Sequence, residues 1–443
     1  MDTSSSEDYR LPDLPRYVRI NTLKIGLGGA NQALKETGHF LCPDPKHPGH
    51  RAYYRDADVP DLLVFKPKGQ SDVSRIPMVG RGEAIVQQKA SCFPALALAP
   101  PPGSTVIDAC AAPGNKTSHL AALMQNRGCV FAFELNKRRC ELLCEMMEAK
   151  GASIVVTKHA SFLDASPDDP AYAAVTHVLL DPSCSSSGMS RTPERDPTRL
   201  RELADAQEEL ILHAMSFPAV VAVVYSTCSI FEMENEEVVR NVMRRRPDFT
   251  LEAALPWWTR RGHLLEVGEA STAVEGLGAV DAPPPKVAKK GKKIKGGSGG
   301  GGRLAVQEAE ALREVEAARA AEIARCAVRS AYPDDQTIGF FLTKFVRRDA
   351  ISGEVATLPV AQELAAKLAV LAKMRAKRDK LPAKLLAAAH KAAATGHAQD
   401  GAAGKSHTNG EIKAGLTDQQ TIPQWRVERD EQKKKRKRPQ SSG

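Results

Sequence analysis

Between Gly82 and about Arg246 the chain repeats one pattern, a short apolar β-rich run followed by a helical stretch. The runs are Thr105–Ala109, Val130–Leu135, Ile154–Thr157, Val178–Asp181 and Val220–Ser226, and the helical stretches are Ser118–Leu123, Lys137–Lys150, Arg199–Met215 and Glu232–Arg246. A strand that is apolar almost throughout has to be buried on both faces. Helices packed above and below a sheet do that, so the pattern predicts an α/β domain built on a parallel sheet. At 443 residues, 42% of them hydrophobic, the chain can fill that core and still carry a second domain and tails.

The flanks read differently. From Leu11 to Gly80 an alternating run, Tyr17 to Leu23, precedes Pro/Gly-punctuated segments such as Cys42 to Gly49, which predicts a small N-terminal α/β domain over residues 1–80. The sheet domain is expected over 81–261 and 303–348. Between these parts Gly262 to Gly302 holds three consecutive prolines, a lysine cluster and G-G-S-G-G-G-G. That composition buries too little apolar surface to order itself, so 262–302 is predicted to be a disordered insertion outside the sheet. A helix, Leu304 to Arg325, and a late strand, Ile338 to Phe345, then return to the domain. Residues 351–443 read as a basic, low-complexity tail ending in Lys433-Lys434-Lys435-Arg436-Lys437-Arg438.

The net charge of +9 is concentrated in those flanks: Ile351 to Gly443 alone carries 18 basic against 9 acidic residues, and Pro284 to Gly302 has six lysines and no acid. Basicity therefore points to segments that seek polyanions or an import receptor, not to a basic folded body. The longest apolar run, Phe217 to Tyr225, is far short of the ~20 residues of a membrane span, so a soluble protein without membrane contact is expected. Met1 to Arg10 is polar and acidic, unlike a secretory signal. The nine cysteines include no C-x-x-C pair, so neither a metal site nor a disulfide framework is expected, and reduced thiols fit a cytosolic or nuclear compartment. Cys92, Cys129, Cys140 and Cys144 read as small buried hydrophobes.

The first run ends in D-A-C-A-A-P-G-N-K-T, Asp108 to Thr117, with a helix directly after it. A strand, a small-residue turn and a helix N-terminus make a backbone cradle for a polar ligand at the sheet's carboxyl edge. The turn is neither G-x-G-x-x-G nor G-x-x-x-x-G-K-[ST], which disfavours dinucleotide and ATP sites. Glu134, at the tip of the second strand, is placed to accept ribose hydroxyls. The fourth strand delivers Asp181 and Cys184 to the same edge, and the fifth delivers Cys228. A ligand cradle, an acid and two thiols on one edge point to covalent catalysis.

Together, D-A-C-A-A-P-G-N-K-T, L-L-D-P-S-C-S-x-S-G-M and Y-S-T-C-S resemble the Sun-domain (Nop/Sun) RNA cytosine-5 methyltransferases, nearest the branch acting on large-subunit ribosomal RNA. The likeness spans about Leu14 to Arg348 and includes P-R-Y-V-R-I-N-T-L-K from Pro15 and K-A-S-C-F-P-A from Lys89. It implies a Rossmann-like, seven-stranded, mostly parallel methyltransferase sheet with an N-terminal RNA-contacting domain. It also implies S-adenosylmethionine as cofactor, contacted by Cys110, Ala111, Ala112, Pro113, Gly114, Asn115, Lys116, Glu134, Arg139 and Asp181. The nucleophile falls on Cys228 and the release step on Cys184, with Asp181 and Lys116 assisting.

Carbon 5 of cytosine is too weak a nucleophile to take a methyl group unaided. A thiolate added at carbon 6 turns the ring into an enamine, and cysteine both adds and leaves well. An acid near N3, fitting Asp181, relieves the charge of addition, while Lys116 keeps the pocket positive. The target base must leave any stack to reach the thiol. The chain departs from the family pattern twice: Ser186 replaces the glycine of C-S-G-x-G, and Ser161-Phe162, with Asp164 following, replaces D-F. A non-catalytic RNA-binding assembly factor would be expected to have lost a thiol, the acid or the turn, and all are present. A DNA target would call for a proline-cysteine nucleophile, but Ser183 separates Pro182 from Cys184. The resulting expectation is a monomeric enzyme on RNA of the large ribosomal subunit or pre-ribosome, in the nucleus and nucleolus, imported through Lys433 to Arg438.

Overall fold

The computed structural model describes residues 14–42, 49–67, 72–190, 193–267 and 299–350, with residues 370 and 373 beyond them. The N-terminal segment Met1 to Arg10, the greater part of the predicted insertion (268–298) and nearly all of the basic tail, including Lys433 to Arg438, lie outside the described residues.

The first sheet is formed by β1 (Arg16–Ile20), β2 (Phe40–Leu41), β3 (Ala52–Arg55), β4 (Leu62–Phe65) and β5 (Ala84–Val86), with α1 (Leu27–Glu36) and the one-turn α2 (Pro77–Gly80). Its order is β2-β3-β4-β1-β5. β5 pairs antiparallel with β1, Val18 opposite Val86, so this unit extends past the predicted boundary at residue 80. Successive side chains of β1 face opposite ways. Val18 and Ile20 pack with Ala30 and Leu34 of α1, whereas Tyr17 joins the core of the larger domain.

The larger domain runs through α3 (Lys89–Leu98), β6 (Thr105–Asp108), α4 (Asn115–Leu123), β7 (Cys129–Glu134), α5 (Lys137–Ala149), β8 (Val155–His159), β9 (Val175–Leu180), α6 (Pro197–Ala214), β10 (Ala222–Thr227), α7 (Glu236–Arg245), β11 (Phe249–Glu252), α8 (Gly299–Cys326), β12 (Val328–Ser330) and β13 (Phe340–Arg347). Among the described residues the sheet order is β11-β13-β10-β9-β6-β7-β8, with the short β12 paired to β13. β10, β9, β6, β7 and β8 are mutually parallel, and β13 enters antiparallel between β10 and β11. Alternate residues divide between two cores. Val106, Leu179, Val224 and Leu342 face α3 and α4, while Ile107, Val178, Val223 and Phe345 face the side of α6, α7 and α8. That period-2 division is why the runs looked uniformly apolar.

Several predicted boundaries move for local reasons. α4 begins at Asn115 and not Ser118, because Gly114 at φ 93° caps it directly. Glu232–Arg246 is not one helix: Asn235, at φ −120° and ψ −98°, separates a 3₁₀ turn from α7 while its side chain binds Thr227 Oγ1 and the Ser229 carbonyl. The late strand is Phe340–Arg347, two residues beyond its predicted span. The predicted insertion 262–302 is shortened at both ends: Gly262 stays with the domain, its N–H donating to the Ala327 carbonyl, and α8 begins at Gly299 and not at Leu304. Cys144 is exposed, not a buried hydrophobe, because α5 buries only the narrow stripe Cys140, Leu143 and Met147.

The seam between the domains is polar and dry. Arg19 of β1 is 1% exposed. Its Nε donates to Gln87 Oε1 (2.8 Å), and its Nη2 donates to the Asn115 carbonyl (3.2 Å) and Ser118 Oγ (3.0 Å) at the start of α4. Burial lowers the guanidinium pKa to about 10, which leaves it charged. Asn21 Nδ2 donates to the Gly82 and Lys150 carbonyls. Replacing Arg19 with methionine removes charge-assisted hydrogen bonds and strands their acceptors, so Arg19→Met is expected to lose about 1.5–3 kcal/mol, measured by urea unfolding followed with tryptophan fluorescence.

Candidate active site

The chain builds β6, β7 and β8 outward in one direction, then returns to place β9 and β10 on the other side of β6. The carboxyl edge at this reversal is where open α/β sheets bind ligands. Asp108 ends β6 fully buried, accepting from Thr117 Oγ1 at 2.8 Å, and burial raises its pKa to about 6 against that hydrogen bond. Gly114 is favoured here by its positive φ of 93°, a conformation that a side chain enters with strain. Glu134 ends β7, 6% exposed, with Oε1 accepting the Asn136 N–H at 2.8 Å and Oε2 3.5 Å from Arg139 Nη2. Arg139 also donates to the Ala112 carbonyl at 2.8 Å. The guanidinium thus braces the turn against Glu134 from α5.

Asp181 follows β9. Its Oδ2 lies 2.6 Å from Lys116 Nζ and its Oδ1 accepts from Ser226 Oγ at 2.7 Å. Burial disfavours the Lys116 ammonium, but Asp181 outweighs it and the lysine pKa is raised. Cys184 and Cys228 meet at the neighbouring strand ends, their Sγ atoms 3.2 Å apart and both free thiols. The contact makes them unequal. Either sulfur can donate in this contact; with Cys184 as donor it lowers the Cys228 pKa, helped by Ser186 and Lys116 and opposed by burial and Asp181. The same bond, with burial, raises Cys184. At the same edge burial pushes the Cys110 thiol up, with Asp108, Asp181 and Glu134 adding to it, and Cys92 beneath is pushed up to about 12. Of these four thiols only Cys228 is shifted toward thiolate.

A buried polar network fixes both cysteine loops. Glu234 is fully buried; it accepts from the Ser185 N–H (2.9 Å), Ser185 Oγ (2.5 Å) and Gln207 Nε2 (3.1 Å). Tyr225 of β10 donates to Gln207 Oε1 and to the Glu234 carbonyl. The Gly188 N–H binds the Cys228 carbonyl at 2.8 Å, and a Cβ on Gly188 would lie 2.1 Å from the Gly339 carbonyl oxygen, so the Cys184 loop is clamped between β10 and the entry to β13.

A cavity of about 490 Å³ opens on the turn after β6 and on the Lys116–Asp181 pair, and neither Cys184, Cys228 nor Glu134 lines it. Cys110 to Pro113, Asn115, Lys116 and Asp181 line it from the sheet edge, and Arg16, Tyr17, Gln87 and Gln88 line it from the N-terminal side. Its size suits a small organic ligand. Small apolar turn residues beside a buried carboxylate tip and an ammonium–carboxylate pair fit the cofactor implied by the resemblance. Ser226, Ser186 and Glu234 were not read as site residues in the sequence. Ser226 sits in Y-S-T-C-S, but its hydrogen bond to Asp181 spans two strands. Ser161, standing where relatives carry an acid, caps a 3₁₀ turn by accepting from the Leu163 N–H. Among the described residues no group of three His, Cys, Asp or Glu side chains is placed to hold a metal ion.

Two families match the chain. The one described as 16S rRNA methyltransferase RsmB/F matches residues 95–273, and the one described as the ferredoxin-like domain of NOL1/NOP2/Sun domain family member 5 matches residues 14–87. A 28S rRNA (cytosine-C(5))-methyltransferase of Mus musculus is 40% identical over 274 residues, 58% of each chain. A 25S rRNA (cytosine-C(5))-methyltransferase of Arabidopsis thaliana is 41% identical over 264 residues, 56% of this chain and 44% of its own. The methyltransferase NSUN5C of Homo sapiens is 40% identical over 212 residues, covering 46% of this chain and 67% of its own. The chain thus spans about half the length of the mouse and plant relatives. A methyltransferase homolog from Pyrococcus horikoshii superposes with a TM-score of 0.54 over 75% of this chain and 87% of its own; at 22% identity that likeness shows the fold.

The unequal thiols are open to direct measurement. Near neutral pH, iodoacetamide is expected to label Cys228 ahead of Cys184, Cys110 and Cys92, with site occupancy followed by peptide mass spectrometry.

Proposed function

The chain belongs to the Sun-domain (NOL1/NOP2/Sun) family of RNA methyltransferases, and on that premise we propose that it methylates carbon 5 of a cytosine in large-subunit ribosomal RNA through a covalent Cys228–cytosine intermediate. The observation that carries this reading is the 3.2 Å contact between Cys184 and Cys228, with the Lys116–Asp181 pair near enough to act on Cys228 and itself lining the cavity of the Cys110 to Asn115 turn. The substrate class comes from the mouse and plant relatives, whose names place them on 28S and 25S rRNA.

S-adenosylmethionine, when bound, supplies a methyl group activated on a sulfonium. Cys110, Ala111, Ala112, Pro113, Gly114, Asn115, Lys116 and Asp181 would line its seat, with Glu134 on the ribose. Arg139 would act by holding Glu134 and the Ala112 carbonyl in place.

Cys228 begins the chemistry because its thiolate is favoured by Cys184, Ser186 and Lys116. It adds to carbon 6 of a cytosine that has left its stack, which makes carbon 5 nucleophilic. Asp181 meets N3, and as addition makes N3 basic the Asp181–Lys116 pair, 2.6 Å apart, passes it the one proton the pair shares, which relieves the charge that addition creates. After transfer the carbon 5 proton must leave and Cys228 must be expelled. Cys184 serves that release: with Cys228 held in the adduct, the Cys184 thiol ionises to solvent and takes the carbon 5 proton, and the electrons of the broken C–H bond restore the double bond between carbons 5 and 6 as the Cys228 sulfur, 3.2 Å from Cys184 in the free protein, leaves carbon 6 as thiolate. A nucleolar site of action follows from the proposed substrate, with Lys433 to Arg438 as the import signal.

Two experiments test the scheme. Cys228→Ala is expected to give neither methylated RNA nor a covalent complex. Cys184→Ala is expected to add and methylate once, then remain as a protein–RNA adduct that survives denaturing gel electrophoresis; the reverse pattern would exchange the two roles. Glu134→Ala is expected to weaken S-adenosylmethionine binding by about 10–150-fold, the equivalent of about 1.5–3 kcal/mol, as read by isothermal titration calorimetry.

A further inference from the structure

The loop carrying Cys184 holds three consecutive serines, and their side chains divide. Ser185 Oγ binds Glu234, Ser187 and Ser229, and Ser187 Oγ binds Ser229 and the Ile230 N–H. Both therefore belong to the buried network behind the cysteines. Ser186, between them, turns the other way, and its Oγ accepts a hydrogen bond from the Cys228 thiol at 3.6 Å. It does so from an unfavourable backbone. Ser186 has φ 55°, the left-handed region that a side chain enters with strain and glycine enters freely. At this position the resemblance has glycine. The chain thus retains a strained serine where the local conformation calls for no side chain at all.

We propose that the Ser186 hydroxyl is a positioning residue: it accepts from the Cys228 thiol in the structure, and once that thiol has lost its proton the hydroxyl turns to donate to the thiolate, which is the contact the strained side chain provides. The proposal rests on the reading of Cys228 as nucleophile. The surroundings explain the need for a second donor. Cys228 faces the Cys184 thiol, the Asp181 carboxylate and the Lys116 ammonium, with Glu234 and Tyr225 behind Cys184. Asp181 and burial both oppose a negative sulfur, whereas Lys116 is already paired to Asp181. The remaining stabilisation comes from short-range donors, and hydrogen bonds to an ionised acceptor are the strong kind. Cys184 supplies one, but its proposed part in release changes that bond during the reaction. The Ser186 backbone also hydrogen-bonds Cys184, but its side chain meets Cys228, so the hydroxyl's donation can persist while the thiol contact changes. Its geometry is set by the backbone: the Met189 N–H binds the Ser186 carbonyl at 3.0 Å, and Gly188 is tied to the Cys228 carbonyl.

Two variants separate strain from hydrogen bonding. Ser186→Ala removes the hydroxyl and keeps a Cβ in the left-handed conformation, whereas Ser186→Gly removes both. The measurement is the rate of Cys228 alkylation by iodoacetamide between pH 6 and pH 10, on full-length protein without RNA or cofactor, alongside thermal melting. Both variants are expected to alkylate Cys228 about three- to tenfold more slowly near neutral pH and to converge with the unsubstituted protein in alkali, as a shift of up to one pKa unit requires. Only Ser186→Gly is expected to melt higher, by about 2 °C. Single-turnover methylation of RNA should show the same alkaline displacement in both. A Cys228 alkylation profile unchanged in Ser186→Gly overturns the proposal, and that variant, being unstrained, decides the matter even if Ser186→Ala folds poorly. Should the unsubstituted protein methylate no RNA, the proposed reaction fails while the alkylation profiles still judge Ser186.

Discussion

The geometry of the reactive edge depends on a carboxylate that water does not reach. Glu234 is surrounded by neutral donors from Ser185 and Gln207, and Tyr225 binds its backbone carbonyl. A buried charge of this kind is tolerable only when its oxygens are satisfied, and the donors in turn have no water to replace it. Loop and strand are therefore locked by mutual need. Ser185 is next to Cys184, Tyr225 stands three residues before Cys228, and the two sulfurs inherit their 3.2 Å separation from that lock.

A thiol pair at this distance does not share its proton evenly. Whichever sulfur has the better set of donors becomes the acceptor, and the other must keep its proton to donate. Cys228 has Cys184, Ser186 and Lys116 around it, while Cys184 is backed by the negative Glu234. The asymmetry that a two-cysteine mechanism needs is thus present before any substrate arrives. It is a property of packing, not of the cysteines themselves.

The N-terminal sheet contributes to the same site from the opposite side. β1 sends Arg19 into the first turn of α4, and Lys150 after α5 donates to Asn115 Oδ1 at 2.9 Å. Burial, with Arg19 near, lowers the Lys150 pKa to about 8. Two buried cations converge on the residue that follows Gly114, so the cradle is shaped partly by a domain whose strands lie far from it in sequence. At the same seam the buried Asn21 amide donates to both the Gly82 and the Lys150 carbonyls.

The sequence by itself determined the strand runs, their burial on both faces and the delivery of Asp108, Glu134, Asp181, Cys184 and Cys228 to one edge. Each of these follows from local period and from motifs a few residues long. It also held Gly114 and Ser186, although only the backbone reveals that both occupy left-handed conformations. Tertiary structure alone decided the rest. β13 slots between β10 and β11, Arg19 reaches Ser118 across 99 positions, and Glu234 ties Ser185 across 49. Those contacts set which groups lose water and which acquire a donor. The resemblance already sets the proposed nucleophile on Cys228; why that sulfur and not Cys184 should favour the thiolate depends on these distances and on burial, and neither quantity is carried by residue identity or spacing.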